Sequence, residues 1–342
     1  MSAPLRLRLD GAALTDNWRT LARMSGHAAC GAAIKADGYG LGASEVVRRL
    51  AEAGCRDFFV ATWAEAAALA PSGVSLAVLH GVRDEDMAAA RSGVARPVLN
   101  TVAQVARWKA AGGGACDVMV DTGMNRLGVS AGEIAAGLLD DLAIDTLMSH
   151  LASADEDVAM NEAQRGAFAA LAGKTGAKRL SLANSAGIAL GAGYAFDLTR
   201  PGIALYGGVP RPEFVGRIRQ VVTPETQILQ RRHVAAGDVV GYNATWTASA
   251  PTEVAILNLG YADGYWRGFS NKGVARADGH VLPVIGRVSM DLTAIDVTAA
   301  PDLIEGDWVV IDYALPEASA VSGMSQYELL TGMGRRYDRA WL

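Results

Sequence analysis

Cysteine is scarce in this chain of 342 residues: only Cys30, Cys55 and Cys116 occur. An odd number at wide spacing excludes a disulfide scaffold and suits a reducing compartment. The three form no metal-binding motif, so no metal is expected, and each reads as a small buried hydrophobe. Long apolar runs are missing too, and no uncharged stretch approaches the roughly 20 residues that cross a bilayer. The start, Met1 to Arg8, lacks an uninterrupted apolar core, so no export signal is expected and the cytoplasm is the expected location. There is no basic run, and 31 basic against 36 acidic residues leave a net charge of −5. Nucleic acid and membrane surfaces are therefore not expected partners. No Gly-x-Gly-x-x-Gly follows a strand at the start of a helix, which removes the usual dinucleotide signature. Repeats, linkers and low-complexity segments are absent as well.

What is present is the make-up of a soluble globular enzyme with room for two domains, 51% apolar and 20% charged. Leu5 to Leu9 alternate and read as a strand that joins a sheet. Thr15 or Asp16 is placed to cap a helix that stops near Gly26. From there to about residue 207 short apolar runs alternate with helical stretches. The runs are Gly31–Lys35, Asp57–Ala61, Leu76–His80, Pro97–Leu99, Val118–Asp121, Thr146–His150, Leu180–Ala183 and Ile203–Tyr206. Thr101–Ala111 and Val158–Gly173 are examples of the helices between them. Eight such units predict a (β/α)8 barrel over residues 1–210, with a doubly wound sheet as the alternative. After Pro210, strands follow one another without helices, as at Val221-Val222-Thr223 and Ala255-Ile256-Leu257. Residues 211–342 are accordingly expected to form a mainly β domain, with a short helix at Ser325–Thr331.

One stretch organises the chain: Ala33-Ile34-Lys35-Ala36-Asp37-Gly38-Tyr39-Gly40-Leu41-Gly42. A strand delivers Lys35 to its end and then breaks into glycines. Active sites of α/β barrels sit at that end of the strands. Such a lysine either snorkels to water or serves as a neutral amine that forms a Schiff base. The second role requires its pKa, ordinarily about 10.4, to fall towards roughly 7–8. The other strand ends supply Asp121-Thr122-Gly123-Met124-Asn125-Arg126, then His150, then Asn184-Ser185, then Arg200-Pro201-Gly202-Ile203-Ala204-Leu205-Tyr206. Asn184-Ser185 opening a helix beside Gly202 suits a phosphate, and equally reads as a plain helix cap and a glycine turn. A phosphate site, a lone lysine and an arginine on one rim favour pyridoxal phosphate over a bare metal or a nicotinamide.

The lysine segment, Ala-Ile-Lys-Ala-Asp-Gly-Tyr-Gly-Leu-Gly, resembles that of the alanine racemases, and the resemblance runs over nearly the whole chain. It implies that Lys35 carries pyridoxal 5'-phosphate as a Schiff base. It implies a phosphate cradle of Tyr39, Asn184, Ser185, Gly202, Ile203 and Tyr206, with His150 and Arg200 at the pyridine ring. Arg126 resembles the arginine near the cofactor phenolate and the substrate carboxylate. Leu259-Gly260-Tyr261-Ala262-Asp263-Gly264-Tyr265 is similar to the catalytic-tyrosine segment, and Gly286-Arg287-Val288-Ser289-Met290-Asp291 to the substrate-carboxylate segment. The implied reaction interconverts L- and D-alanine by two opposed bases, Lys35 and Tyr261. In the family that tyrosine comes from the partner subunit, so a head-to-tail homodimer is the implied active unit. The implied role is the supply of D-alanine for peptidoglycan.

Two positions depart from the family pattern. Many members carry a lysine, open to carbamylation, seven residues before the arginine matched by Arg126, and here that residue is Met119. Many carry a gate tyrosine near the C-terminal end, where this chain reads Gly334-Arg335-Arg336-Tyr337-Asp338, with Arg335 nearest the slot. The rivals are a racemase of broad specificity and a cofactor-carrier protein without catalysis. A decarboxylase of the same architecture needs a C-terminal cysteine motif, and no cysteine follows Cys116.

Overall fold

The structure, a computed structural model, describes residues 3–342. Met1 and Ser2, where the segment expected to hold no export signal begins, lie outside the described residues. Two compact units are present, Leu14–Arg219, and Gln220–Leu342 together with the residues up to Ala13.

The Leu14–Arg219 unit is the expected (β/α)8 barrel. Seven strands form one parallel sheet: Ala32–Ala33, Asp57–Val60, Ser75–Val78, Arg96–Leu99, Cys116–Met119, Ile144–Met148 and Arg179–Ser181. The eighth, Leu198–Thr199, pairs in parallel with Ala29–Cys30, which continues into the first strand past Gly31. Hydrogen bonds from the Asp197 N–H to Leu180 O (3.0 Å) and from the Arg200 N–H to Ala183 O (2.8 Å) close the ring. Phe59, Ala77, Val98, Met119, Met148 and Leu198 fill the interior as one cluster. Their strands are short apolar runs because both faces are covered.

The eighth strand therefore lies earlier than the sequence suggests. Ile203–Tyr206 is a 3-10 turn, and all four residues are buried. Its apolar character reports burial rather than pairing. Pro201, which lacks an N–H, ends the strand before it. The first helix also starts earlier, at Gly11, where Asp10 Oδ1 accepts the Ala13 N–H at 2.7 Å; Thr15 and Asp16 lie inside it.

The second unit is mainly antiparallel β. Its strands run in the order Thr252–Leu257, Thr293–Asp296, His280–Ile285, Val274–Ala277, Trp308–Ile311, Val222–Val234, Leu5–Leu9 and Asp338–Trp341. The far half of the 13-residue Val222–Val234 strand turns back onto Thr252–Leu257 past an irregularity at Ile228/Gln230, so six strands close on themselves. The expected boundary at residue 210 left Leu5–Leu9 with the barrel half, but its pairing is with Val222–Val234 and Asp338–Trp341. Leu5, Leu7 and Leu9 are buried, while Arg6 and Arg8 both reach the buried Glu225 carboxylate. A period-2 pattern places a residue on a face but does not name the partner strand. No helix among the described residues is long and apolar enough to cross a membrane.

Candidate active site

Lys35 stands at the C-terminal end of the first barrel strand. The strand makes its last bond through the Ile34 N–H to Phe59 O, at 2.8 Å. The chain then enters a left-handed turn: Ala36, Asp37, Gly38 and Tyr39 have φ of 54, 54, 62 and 56°. The Gly38 N–H bonds Ile34 O at 2.9 Å and the Gly40 N–H bonds Ala36 O at 2.8 Å. Only Gly38 takes this conformation freely, and each L-residue in it costs about 1–2 kcal/mol. Side-chain carboxylates hold the turn in place. Glu65 Oε1 accepts the Ala36 N–H at 2.7 Å, while Oε2 accepts the N–H groups of Ala61 (2.7 Å) and Thr62 (3.1 Å). Asp37 Oδ1 accepts the Ala43 N–H at 2.8 Å. Thr62-x-x-Glu65 is legible as a helix-capping box, which it is. Its second task, fixing the peptide after Lys35, has no local signal.

The Lys35 amine has no hydrogen bond or ion pair among the described residues. Crowding by protein atoms holds its pKa below the usual lysine value. The positive charge of Arg126 pushes the same way, and Glu65 opposes both. His150 is pulled down to about 3, first by burial, then by Arg200, Arg126 and Lys35. Four basic groups thus meet at one rim, and the imidazole is neutral at pH 7. Arg200 is buried; it donates to Ser181 Oγ and to the Ser149 carbonyl, and burial pushes it down to about 10. No ion-pair partner of Lys35, Arg126, His150 or Arg200 occurs among the described residues.

The loop that ends at Arg126 is set by Asp121. Its Oδ1 accepts the N–H groups of Gly123 (2.9 Å), Met124 (2.9 Å) and Asn125 (3.1 Å). Met119 lies in the apolar interior and offers Arg126 no charge. Gln164, buried on the helix Ala159–Ala169, joins two rim loops. Its Nε2 donates to His150 O (3.0 Å) and Thr122 Oγ1 (3.4 Å), and its Oε1 accepts the Ala152 N–H (2.9 Å). Sequence reasoning missed Glu65 and Gln164, since ordinary helix-surface residues look the same.

The strand ends at Ser185 and Gly202 gather hydroxyl and N–H groups. Ser185 Oγ accepts the N–H groups of Gly202 (2.9 Å) and Ala204 (3.2 Å). Ile203 opens the 3-10 turn, where a first-turn N–H has no partner in the turn itself. A Cβ on Gly202 would stand 2.2 Å from the Tyr39 hydroxyl, so the site needs glycine there. The structure thus brings Tyr39, Ser185, Gly202 and Ile203 together. Two expected members act differently. Asn184 uses its Oδ1 to cap the short helix at the Gly187 N–H, at 2.8 Å. Tyr206 is buried, donates to Ala33 O at 2.9 Å and stacks on Tyr39 at 4.6 Å, so it props Tyr39 from behind.

In the β unit, Tyr261 and Met290 lie on adjoining loops. The Tyr261 N–H bonds Ser289 O and the Ala262 N–H bonds Met290 O, both at 3.0 Å. Met290 is 54% exposed, and the Arg267 guanidinium sits 5.0 Å from the Tyr261 ring centroid. Near the C-terminal end, Arg335 is exposed and Tyr337 is buried.

Cations without an ion-pair partner among the described residues, beside a hydroxyl-and-amide cradle on a (β/α)8 barrel, define the class: a barrel protein whose rim suits a small anionic molecule. The family description "Alanine racemase, N-terminal domain" matches residues 9–210, and "Alanine racemase, C-terminal domain" matches residues 221–341. An alanine racemase of Acidiphilium cryptum is 43% identical over 97% of both chains. A catabolic alanine racemase of Agrobacterium fabrum is 41% identical over 98% of this chain and 92% of that one. The crystal structure of alanine racemase from Bartonella henselae with covalently bound pyridoxal phosphate is 34% identical, with a TM-score of 0.90 over 100% of both chains. The chain belongs to the alanine racemase family, and its relatives are isomerases.

Proposed function

We propose that this enzyme interconverts L- and D-alanine with pyridoxal 5'-phosphate, in the cytoplasm, as a homodimer that supplies D-alanine for peptidoglycan. One observation carries the reading: Lys35, with its lowered pKa, stands among Arg126, His150 and Arg200 and none of them has an ion-pair partner among the described residues. That rim calls for an anionic guest bearing a carbonyl. The residues present fit such a cofactor. Ser185, Tyr39 and the N–H groups of Gly202 and Ile203 would hold its phosphate, Lys35 would hold its aldehyde carbon, and Arg200 and His150 would lie against its ring. When bound, the cofactor supplies the electron sink that takes up charge from the substrate α-carbon.

The chain's own groups supply the proton transfers. The Lys35 amine, once free and neutral, takes or returns the α-proton on one face. The partner subunit's Tyr261 serves the opposite face, with Met290 bounding the pocket for a small side chain. Neutral His150, backed by the fixed Arg200, hydrogen-bonds the phenol and steadies its charge. Arg126, positioned by Asp121 rather than by a carbamate, neutralises the substrate carboxylate.

The test is chiral analysis of L-alanine, L-serine and L-lysine, each incubated with enzyme and cofactor in heavy water. D-alanine carrying deuterium at the α-carbon, lost in Lys35→Ala, is the expected result. Equal rates on all three would establish the broad-specificity racemase, and no exchange on any the carrier protein.

A further inference from the structure

The two loops that carry Tyr261 and Met290 are pressed together backbone to backbone. Besides the two backbone hydrogen bonds between them, Gly260 leaves no space: a Cβ there would stand 2.2 Å from Met290 O. One side chain from the C-terminal segment holds both loops. Arg336 Nε donates to Asp263 Oδ1 at 2.7 Å and a terminal nitrogen donates to Asp263 Oδ2 at 2.8 Å; the other terminal nitrogen donates to Asp291 Oδ1 at 2.7 Å. Asp263 is 1% exposed and closes the 3-10 turn that begins with Tyr261. Its Oδ2 also accepts, at 3.0 Å, the N–H of Gly260, the residue immediately before the tyrosine. Gly334, two residues before Arg336, would place a Cβ 2.7 Å from Ala262 O, so the C-terminal segment also runs tightly along the turn.

We propose that Arg336 is a positioning residue for Tyr261. A planar fork that grips one carboxylate in two places fixes direction as well as distance, which a lysine cannot do. Through Asp263 it sets the peptide that aims the tyrosine. Through Asp291 it holds the neighbouring Met290 loop in register. Arg336 touches neither substrate nor reacting atoms; it acts by keeping the Tyr261 oxygen where a proton is transferred. The inference rests on the reading of Tyr261 as the base of one face.

The experiment measures kcat/KM and the α-deuterium isotope effect separately for L- and D-alanine, using cofactor-loaded enzyme. Arg336→Gln is expected to lower kcat/KM about 10–100-fold, as misplacement by about an ångström does. It is also expected to raise the isotope effect for one enantiomer only, the same one that Tyr261→Phe affects. Arg336→Lys, which keeps charge and loses the fork, should fall between wild type and Gln. Asp291→Asn removes one arm and should give a smaller change of the same kind. A rate loss in all the Arg336 and Asp291 variants with unchanged isotope effects would mean less active protein, not a moved tyrosine, and overturns the inference. If Tyr261→Phe raises the isotope effect of both enantiomers alike, the assignment of Tyr261 as the base of one face fails, and the inference fails with it.

Discussion

The two ends of the barrel treat their charged side chains in opposite ways. At the N-terminal end, charges are paired across strands. Arg179 bonds Asp57 at 2.8 Å and Asp145 at 2.7 Å, and Arg96 reaches Asp117 at 3.4 Å and Asp145 at 3.6 Å. These residues begin their strands and stitch five of the eight together. At the C-terminal end, Lys35, Arg126, His150 and Arg200 are gathered, and no counter-charge among the described residues is bonded to any of them. Pairing serves the fold at one end. At the other, its absence leaves a field and free donors for a guest, at a cost that the fold bears.

That contrast can be broken at the rim. Arg126→Met is expected to lower kcat/KM for alanine about 100–1,000-fold, the scale for losing one charged donor at a reacting group. Thermal unfolding should stay within a degree or two of wild type, since Arg126 is exposed and bonds nothing among the described residues. A smaller effect is expected at Glu65. Replacing it by Gln puts an amide donor against N–H groups that need an acceptor, and kcat should fall about 10-fold through the misplaced Lys35. A large fall in stability with kcat intact would instead make Glu65 a simple helix cap.

The floor should answer the other way. Arg179→Met leaves two carboxylates short of a partner and should cost about 1–3 kcal/mol in urea unfolding while kcat changes less than about twofold. A further effect is one of pH. His150 has a folded pKa of about 3, below the ordinary 6.5 of the unfolded chain. As pH falls through 6.5 the unfolded chain takes up the proton first. This contribution is therefore complete above pH 6.5 and is lost as pH falls towards 3. His150→Gln should flatten the urea midpoint across that window.

The barrel and most of its rim are legible in the sequence because period and chain order are local properties. Seven of the eight strands lie within about two residues of where the apolar runs put them, and Lys35 ends the first. The eighth was misplaced because a buried 3-10 turn and a buried strand are the same apolar string. Individual roles within the cradle are less legible for a related reason. Asn184 and Tyr206 belong to its segments, but whether such a residue faces the guest or supports its neighbour depends on side-chain direction. Glu65, Gln164 and Arg336 escaped because each acts over long sequence distances, 73 residues from Arg336 to Asp263. No local pattern carries a contact of that span.

The central claim is that one amine, Lys35, is set apart from every other lysine by its site. The direct measurement is borohydride reduction of the enzyme incubated with pyridoxal phosphate, followed by peptide mass mapping. The account predicts the label on Lys35 alone, with Lys109, Lys174, Lys178 and Lys272 unmodified at equimolar cofactor. Label spread over those surface lysines, or concentrated on any one of them, would contradict it.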